Sequence, residues 1–410
     1  MTYIQVIIIC AVLIHFFLNL LSFYLNLKNF RDEIPKGFEA YFDKKKYKKS
    51  QKYILENSRL EIVEGFFNLS VFIVFWFMGG FGWLDNILTG IIFSELLRGL
   101  IFIGLLIFAK LILDLPFSIY STFVIEEKFG FNKTKLNLYI SDKIKMLLIS
   151  LIIGVPLIAF ILVFFQYAGK FAWLFCWAGV TVFIFAIQII VPVWIMPFFN
   201  KFTPLEEGEL KKKVMDYSKT NNFPLENVFV MDGSKRSEKS NAFFSGFGKT
   251  KRLVLFDTII KNHSSDEILA IIAHETGHYK KKHILFSTVL GIIQAGVMFY
   301  LLSFFISFKD LFDAFYVENV SVYAGLVFFG FLYSPVDFFL NIIMLAFSRK
   351  NEYEADRYAV ETTGNKKVFA ETLKRLSADN YSNLSPHPLH VFLNYSHPPV
   401  LDRVKRIYDL

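Results

Sequence analysis

Residues His274-Glu275-Thr276-Gly277-His278 spell an H-E-x-x-H pattern. Side chains four residues apart on an α-helix stand one turn apart on the same face, so both imidazoles can reach one metal ion. Glu275 is rotated off that face, which keeps it from the metal but close enough to hold a water there. The chemistry such a set performs is zinc-assisted hydrolysis. The metal lowers the pKa of its bound water to about 7 and polarises a carbonyl, while the Glu takes the water's proton and returns it to the leaving amine. Two His and one Glu in set places also occur by chance in roughly one chain in a hundred of this length. A surface helix with two solvated histidines is therefore the plain alternative.

A catalytic zinc takes three protein ligands and keeps an open position. Asn351-Glu352-Tyr353-Glu354-Ala355-Asp356 offers the missing group. Glu352 and Asp356 are again four apart and share a helix face. Glu352 can be the third ligand, and Asp356 can accept a hydrogen bond from a ligand imidazole. Glu354 points elsewhere and reads as solvated. Taken alone, the stretch also fits a charged face with Glu354 and Arg357. Ser396-His397-Pro398-Pro399, followed by Arg403, has by itself the look of a helix-start turn.

The elements that must position these groups are legible in outline. Ser264 with Glu267 makes a capping box for a helix over 268–279. Residues 205–219 suit an amphipathic helix, 227–231 a strand and 232–234 a turn. Residues 252–256 read as a strand with an open edge, and 348–362 as a separate helix stopped near Gly364.

The rest of the chain is apolar: 54% of 410 residues are hydrophobic and 50 are Phe. Seven stretches, 4–25, 65–84, 97–117, 146–165, 172–193, 284–307 and 322–347, are long enough to cross a bilayer. The loops after the first and third, and the segment 200–283, are rich in Lys and Arg; the alternate loops are poor in both. Positive charge stays in the cytoplasm. The N-terminus is then outside, and 200–283 and 348–410 are cytoplasmic and must meet to form one site. This accounts for the net charge of +8 without nucleic acid. The run over 44–52 reads as a solvated topological signal. Cys10 and Cys176 fall inside apolar spans, which excludes a disulfide framework and a cysteine zinc site. Asp114 and Asp337, beside Pro116 and Pro335, and Lys110 fit either a water-filled chamber or helix–helix hydrogen bonds. His15 reads as a packed histidine. His263, His283, His387 and His390 receive no role.

Together these pieces resemble the type I CAAX prenyl proteases, integral-membrane zinc peptidases also found in yeast and mammals. The resemblance rests on the two motifs above and on Asn241-Ala242-Phe243-Phe244-Ser245-Gly246-Phe247-Gly248-Lys249 with Arg252-Leu253-Val254-Leu255-Phe256-Asp257-Thr258. Glu126-Glu127-Lys128-Phe129-Gly130-Phe131-Asn132-Lys133, Phe198-Phe199-Asn200-Lys201-Phe202-Thr203-Pro204-Leu205 and Ser396-His397-Pro398-Pro399 complete it. It covers nearly the whole chain, which lacks the longer loops and tail of mammalian members. It implies a mainly α polytopic membrane protein whose seven transmembrane helices enclose an intramembrane chamber, with a small cytoplasmic α+β zinc peptidase portion.

It also implies roles. One zinc ion would be held by His274, His278 and Glu352, with Glu275 as general base. Asn241 and the strand with Leu253, Val254 and Leu255 would line a substrate added as a strand. His397 would sit beside the scissile carbonyl, where it stabilises the oxyanion, and Arg403 would support the site near Asp356. The expected organisation is 1–199 with five spans, 200–283 with the zinc helix, 284–347 with two spans and 348–410 with the third ligand. The expected partners are a lipid-modified peptide or protein substrate and membrane lipids. The setting is a bacterial inner membrane, or the endoplasmic reticulum in a eukaryote. A quality-control zinc endopeptidase cutting misfolded membrane proteins shares both zinc motifs but usually has fewer spans. A transporter or scaffold would have no reason to keep three ligands and a base together.

Overall fold

The computed structural model describes residues 1–223, 228–245 and 252–410. Asn227, and the Gly246-Phe247-Gly248-Lys249 portion of the motif quoted above, lie outside the described residues. The chain runs through α1 (Tyr3–Lys28), α2 (Lys44–Phe77), α3 (Glu95–Tyr120), α4 (Leu136–Tyr167) and α5 (Ala172–Ile190). Outside the membrane come β1 (Phe202–Pro204), α6 (Glu209–Thr220), β2 (Val228–Met231), β3 (Ala242–Ser245), β4 (Arg252–Phe256) and α7 (Ser265–Lys280). Then follow α8 (His283–Phe305), α9 (Val322–Thr363), α10 (Lys366–Asp379), α11 (Pro388–Asn394) and α12 (Val400–Asp409). Seven helices among the described residues are long and apolar enough to cross a membrane.

The helices outrun the apolar stretches that announced them. The basic run over 44–52 is not a loop: it forms the first turns of α2, whose start is capped by the Asp43 carboxylate accepting from the Lys46 amide at 2.6 Å. The second predicted span is misplaced at its far end. The helix stops at Phe77, and Gly79 at φ 73° starts another helix, Gly80–Ile91. At two proline-bearing places the helix widens into π turns, Ser121–Glu126 beyond Pro116 and Val191–Ile195 around Pro192. The largest change is at α9. Residues 348–362 are no separate helix but the end of one unbroken 42-residue helix, halted by Gly364 at φ 65°.

Inside the membrane the ionisable residues meet partners on neighbouring helices. Asp114 accepts from Lys110 and, at 3.2 Å, from Asn68 of α2. Asp337 accepts from Gln294 of α8 at 3.1 Å. His15 stands edge-on to Phe338 at 5.0 Å and also lines a cavity of about 560 Å³ with Asn19, Glu61 and Asn68. It is therefore a wall residue as well as a packed one.

The sheet order is β1-β2-β4-β3, with β2 and β4 parallel and the outer pairings antiparallel. β4 is therefore interior, hydrogen-bonded on both sides, which corrects its reading as an open edge. Leu253 and Leu255 are buried in the core that joins the sheet to α6 and α7, and Val254 is buried on the opposite face of the strand. The edge strands are β1 and β3, and β3 is the one that contacts α7. A second core, with Ala270 and Ala273 of α7, Ala359 of α9, Phe369 of α10 and Ile407 of α12, ties the two extramembrane segments together.

Alanines and a glycine let α7 and α9 approach closely. A Cβ at Gly277 would lie 2.9 Å from Ala355 Cα and 3.1 Å from its carbonyl oxygen. Backbone atoms cannot yield as a side-chain tip can. Gly277→Val is expected to cost about 1–3 kcal/mol, read as a lower thermal midpoint of the detergent-purified protein. Gly291→Ala in α8, where a Cβ meets open space, should leave the midpoint unchanged.

Candidate active site

Helix α7 begins at a complete capping box: the Ser264 side chain accepts from the Glu267 amide, and Glu267 accepts from the Ser264 amide at 2.8 Å. Arg375 of α10 donates to the same carboxylate at 2.9 Å. This fixes the phase of the helix, and its last turns present His274 and His278 to α9.

Across the α7–α9 contact, ligand-type atoms of His274, His278 and Glu352 all lie within 4.8 Å of one another. The two histidine Nε2 atoms are 3.2 Å apart. Glu352 Oε1 is 3.2 Å from His278 Nε2, and Oε2 is 3.4 Å from His274 Nε2. Behind them, Asp356 Oδ1 stands 2.9 Å from His274 Nδ1. Arg403 of α12 donates through Nε and Nη2 to the two Asp356 oxygens at 2.8 and 2.5 Å, and its Nη1 is 3.2 Å from Glu352 Oε2. His397 is exposed, with Nε2 3.4 Å from Glu352 Oε1 and Nδ1 2.9 Å from Ser396 Oγ.

This donor set fits a metal cation. Two imidazole nitrogens and a carboxylate at one point are a zinc-type environment. Glu352 Oε2 is buried and makes no well-aligned hydrogen bond among the described residues, with Arg403 Nη1 at 3.2 Å and His274 Nε2 at 3.4 Å. Burial alone would lower the pKa of His274, but the Asp356 and Glu352 carboxylates carry it up to about 9. The field at this point therefore favours positive charge.

Glu275 faces the sheet. Burial pushes its carboxyl above the ordinary range, against the pull of His274 and His278, and the Phe244 amide of β3 donates to it. The β3 edge explains that contact. The Asn241 carbonyl accepts from the Phe256 amide at 3.0 Å, so position 241 faces β4. Alternate residues of a strand face opposite sides, so Ala242 and Phe244 turn their amides to the open edge. The Asn241 side chain accepts from the Ala242 amide at 2.9 Å.

Of the expected site residues, the fold gathers His274, Glu275, His278, Glu352, Asp356, His397 and Arg403 in one place. Asn241 stands at the start of β3, whereas Leu253 and Leu255 point into the core and Val254 is buried on the other face of β4. Two participants were not foreseen. The Phe244 amide carries no side-chain signature. His283 lies 3.0 Å from His278 and 3.3 Å from Glu354. Its only signal was a third His five residues past the motif.

The pair most exposed to single substitution is Asp356 with Arg403, both buried. Arg403→Met leaves a carboxylate without its counter-charge, for an expected loss of about 3–5 kcal/mol seen in the thermal midpoint. Asp356→Leu in the same chain should restore part of that loss.

Residues 23–201 match the family model for the CAAX prenyl protease N-terminal region, described as five membrane helices, and residues 204–410 match peptidase family M48. CAAX prenyl protease 1 of Saccharomyces cerevisiae is 36% identical over 405 residues, covering 91% of this chain and 88% of the relative. The CAAX prenyl protease 1 homolog of Arabidopsis thaliana is 35% identical over 383 residues, covering 91% and 90%. The human homolog is 30% identical, covering 91% and 88%. The crystal structure of S. mikatae Ste24p superposes with a TM-score of 0.93 at 32% identity, over 99% of each chain.

Proposed function

The chain belongs to peptidase family M48, with the CAAX prenyl proteases, and on that premise we propose that it is a membrane-embedded zinc metalloendopeptidase cutting prenylated CAAX-type substrates near their C-termini. The observation that carries this reading is the convergence of His274, His278 and Glu352 within 4.8 Å, with Glu275 one residue along from a ligand.

His274, His278 and Glu352 would hold the zinc ion. When bound, it supplies a Lewis acid for the scissile carbonyl and makes water acidic near neutral pH. Asp356 receives the Nδ1 proton of His274 and fixes that ring, and Arg403 holds Asp356 in turn. Glu275 takes a proton from the attacking water and delivers it to the amine nitrogen as the C–N bond breaks. A carboxyl raised by burial is a better base than a solvated one and a ready acid afterwards. His397, exposed beside Glu352, donates to the oxyanion as it develops.

The substrate binds as an added strand along β3. Its backbone displaces the Asn241 side chain from the Ala242 amide and lies next to Glu275. Binding through main-chain groups leaves sequence choice open, so selection falls to the lipid on the substrate cysteine. The chain's membrane helices bring that lipid and the metal into one compartment. The lysine-rich connections support a cytoplasmic site with an outside or lumenal N-terminus.

The test is cleavage of a farnesylated CAAX peptide and its unmodified twin by the detergent-purified protein. Wild type should cut the farnesylated peptide and leave the twin. Removal of metal with a chelator should abolish cleavage, and zinc should restore it. Glu275→Ala should keep about one zinc per chain, as a single catalytic site requires, and lose at least about 10²-fold in kcat. Equal cleavage of both peptides would argue instead for a quality-control endopeptidase.

A further inference from the structure

His283 is the first residue of α8, buried, and not used by the mechanism above. Its Nδ1 is 3.0 Å from His278 Nδ1, with the rings edge-to-face at 75°. Its Nε2 is 3.3 Å from Glu354 Oε2. We propose that His283 and Glu354 form a positioning relay that orients His278 as a metal ligand. The His278 Nδ1–H donates to His283 Nδ1, and the His283 Nε2–H donates to Glu354.

The tautomers follow from geometry. His278 presents Nε2 to the ligand cluster, 3.2 Å from Glu352 Oε1 and 3.2 Å from His274 Nε2. A neutral imidazole that offers one nitrogen as a lone pair carries its proton on the other. His278 Nδ1 is then a donor, and the nitrogen facing it must be bare. That puts the His283 proton on Nε2, the atom turned to Glu354. Each of the two histidine ligands thus ends on a carboxylate. For His274 it is Asp356, facing the ring directly. For His278 it is Glu354, reached through a second imidazole.

The backbone is built to bring this about. On a continuous helix, residues five apart point about 140° apart, and His283 could not meet His278. The helix breaks instead at Lys282, which sits at φ 58°. The left-handed region is costly for a residue with a Cβ and persists where surrounding structure enforces it. That turn swings position 283 back against position 278. On α9, Glu354 lies about 200° around from Glu352. It leaves the metal side of the helix and reaches the start of α8.

The relay rests on the reading of His278 as a ligand, and the experiment separates the two. Zinc affinity is measured by chelator competition on wild type, His283→Ala, His283→Asn and Glu354→Leu, together with the thermal midpoint of each metal-free protein. His283→Ala should weaken zinc binding about 10–100-fold, and Glu354→Leu by less. His283→Asn, whose amide oxygen takes the place of Nδ1 as acceptor, should recover most of the loss. The metal-free midpoints should stay at the wild-type value, a result that a merely structural role would not give. Unchanged zinc affinity in His283→Ala overturns the relay alone. So does a loss that His283→Asn shares or that follows the metal-free midpoint. Failure of wild type to bind one zinc overturns the ligand assignment and the relay with it.

Discussion

The backbone contact between α7 and α9 at Gly277 and Ala355 is the constraint on which the site depends. The two histidines and Glu352 come from helices separated by two membrane crossings, and nothing in the chain between them fixes their distance. Close approach of two helix backbones does. Ala270, Ala273 and Ala359 extend the same small-residue seam and add to the core shared with α10 and α12. Desolvated groups then have to be neutralised locally, and Arg403 arrives on the last helix to do so. The C-terminal segment is in this sense part of the metal site, since both Arg403 and His397 stand next to Glu352.

Much of this was legible from spacing. Four-residue intervals report helix faces whatever the tertiary structure, so His274 with His278 and Glu352 with Asp356 could be paired before any coordinates. Runs of apolar residues report membrane crossings for a similar reason: a bilayer imposes a length. Spacing does not report which strand of a sheet lies outside. Residues 252–256 are apolar enough for an interior position, which is where they are, but their place depends on β2 and β3, distant in sequence. The open edge at the site belongs to β3, whose contribution is made by backbone amides common to every residue.

The same limit hid the continuity of α9. Charged residues after an apolar run read as an end of a span and a fresh start. An α-helix does not need its surroundings to stay constant, and no glycine or proline interrupts 348–362. His283 was obscured because helical periodicity places it on the wrong side of His278. One left-handed residue at Lys282 undoes that periodicity, and lysine gives no warning of it as glycine would.

The unbroken α9 makes the bilayer a mechanical participant. From Val322 to Glu352 the helix extends roughly 45 Å at 1.5 Å per residue. A change of tilt of one degree displaces its far end sideways by roughly 0.8 Å, more than the ~0.5 Å tolerance of a working constellation. The seam with α7 makes both helices swing together, so the ligand triangle travels as a rigid body. Because α7 also packs on the sheet through Ile268, Ile271 and Ile272, with Phe244 of β3 against the same core, a tilt of α9 in the bilayer carries the metal site and the substrate edge together.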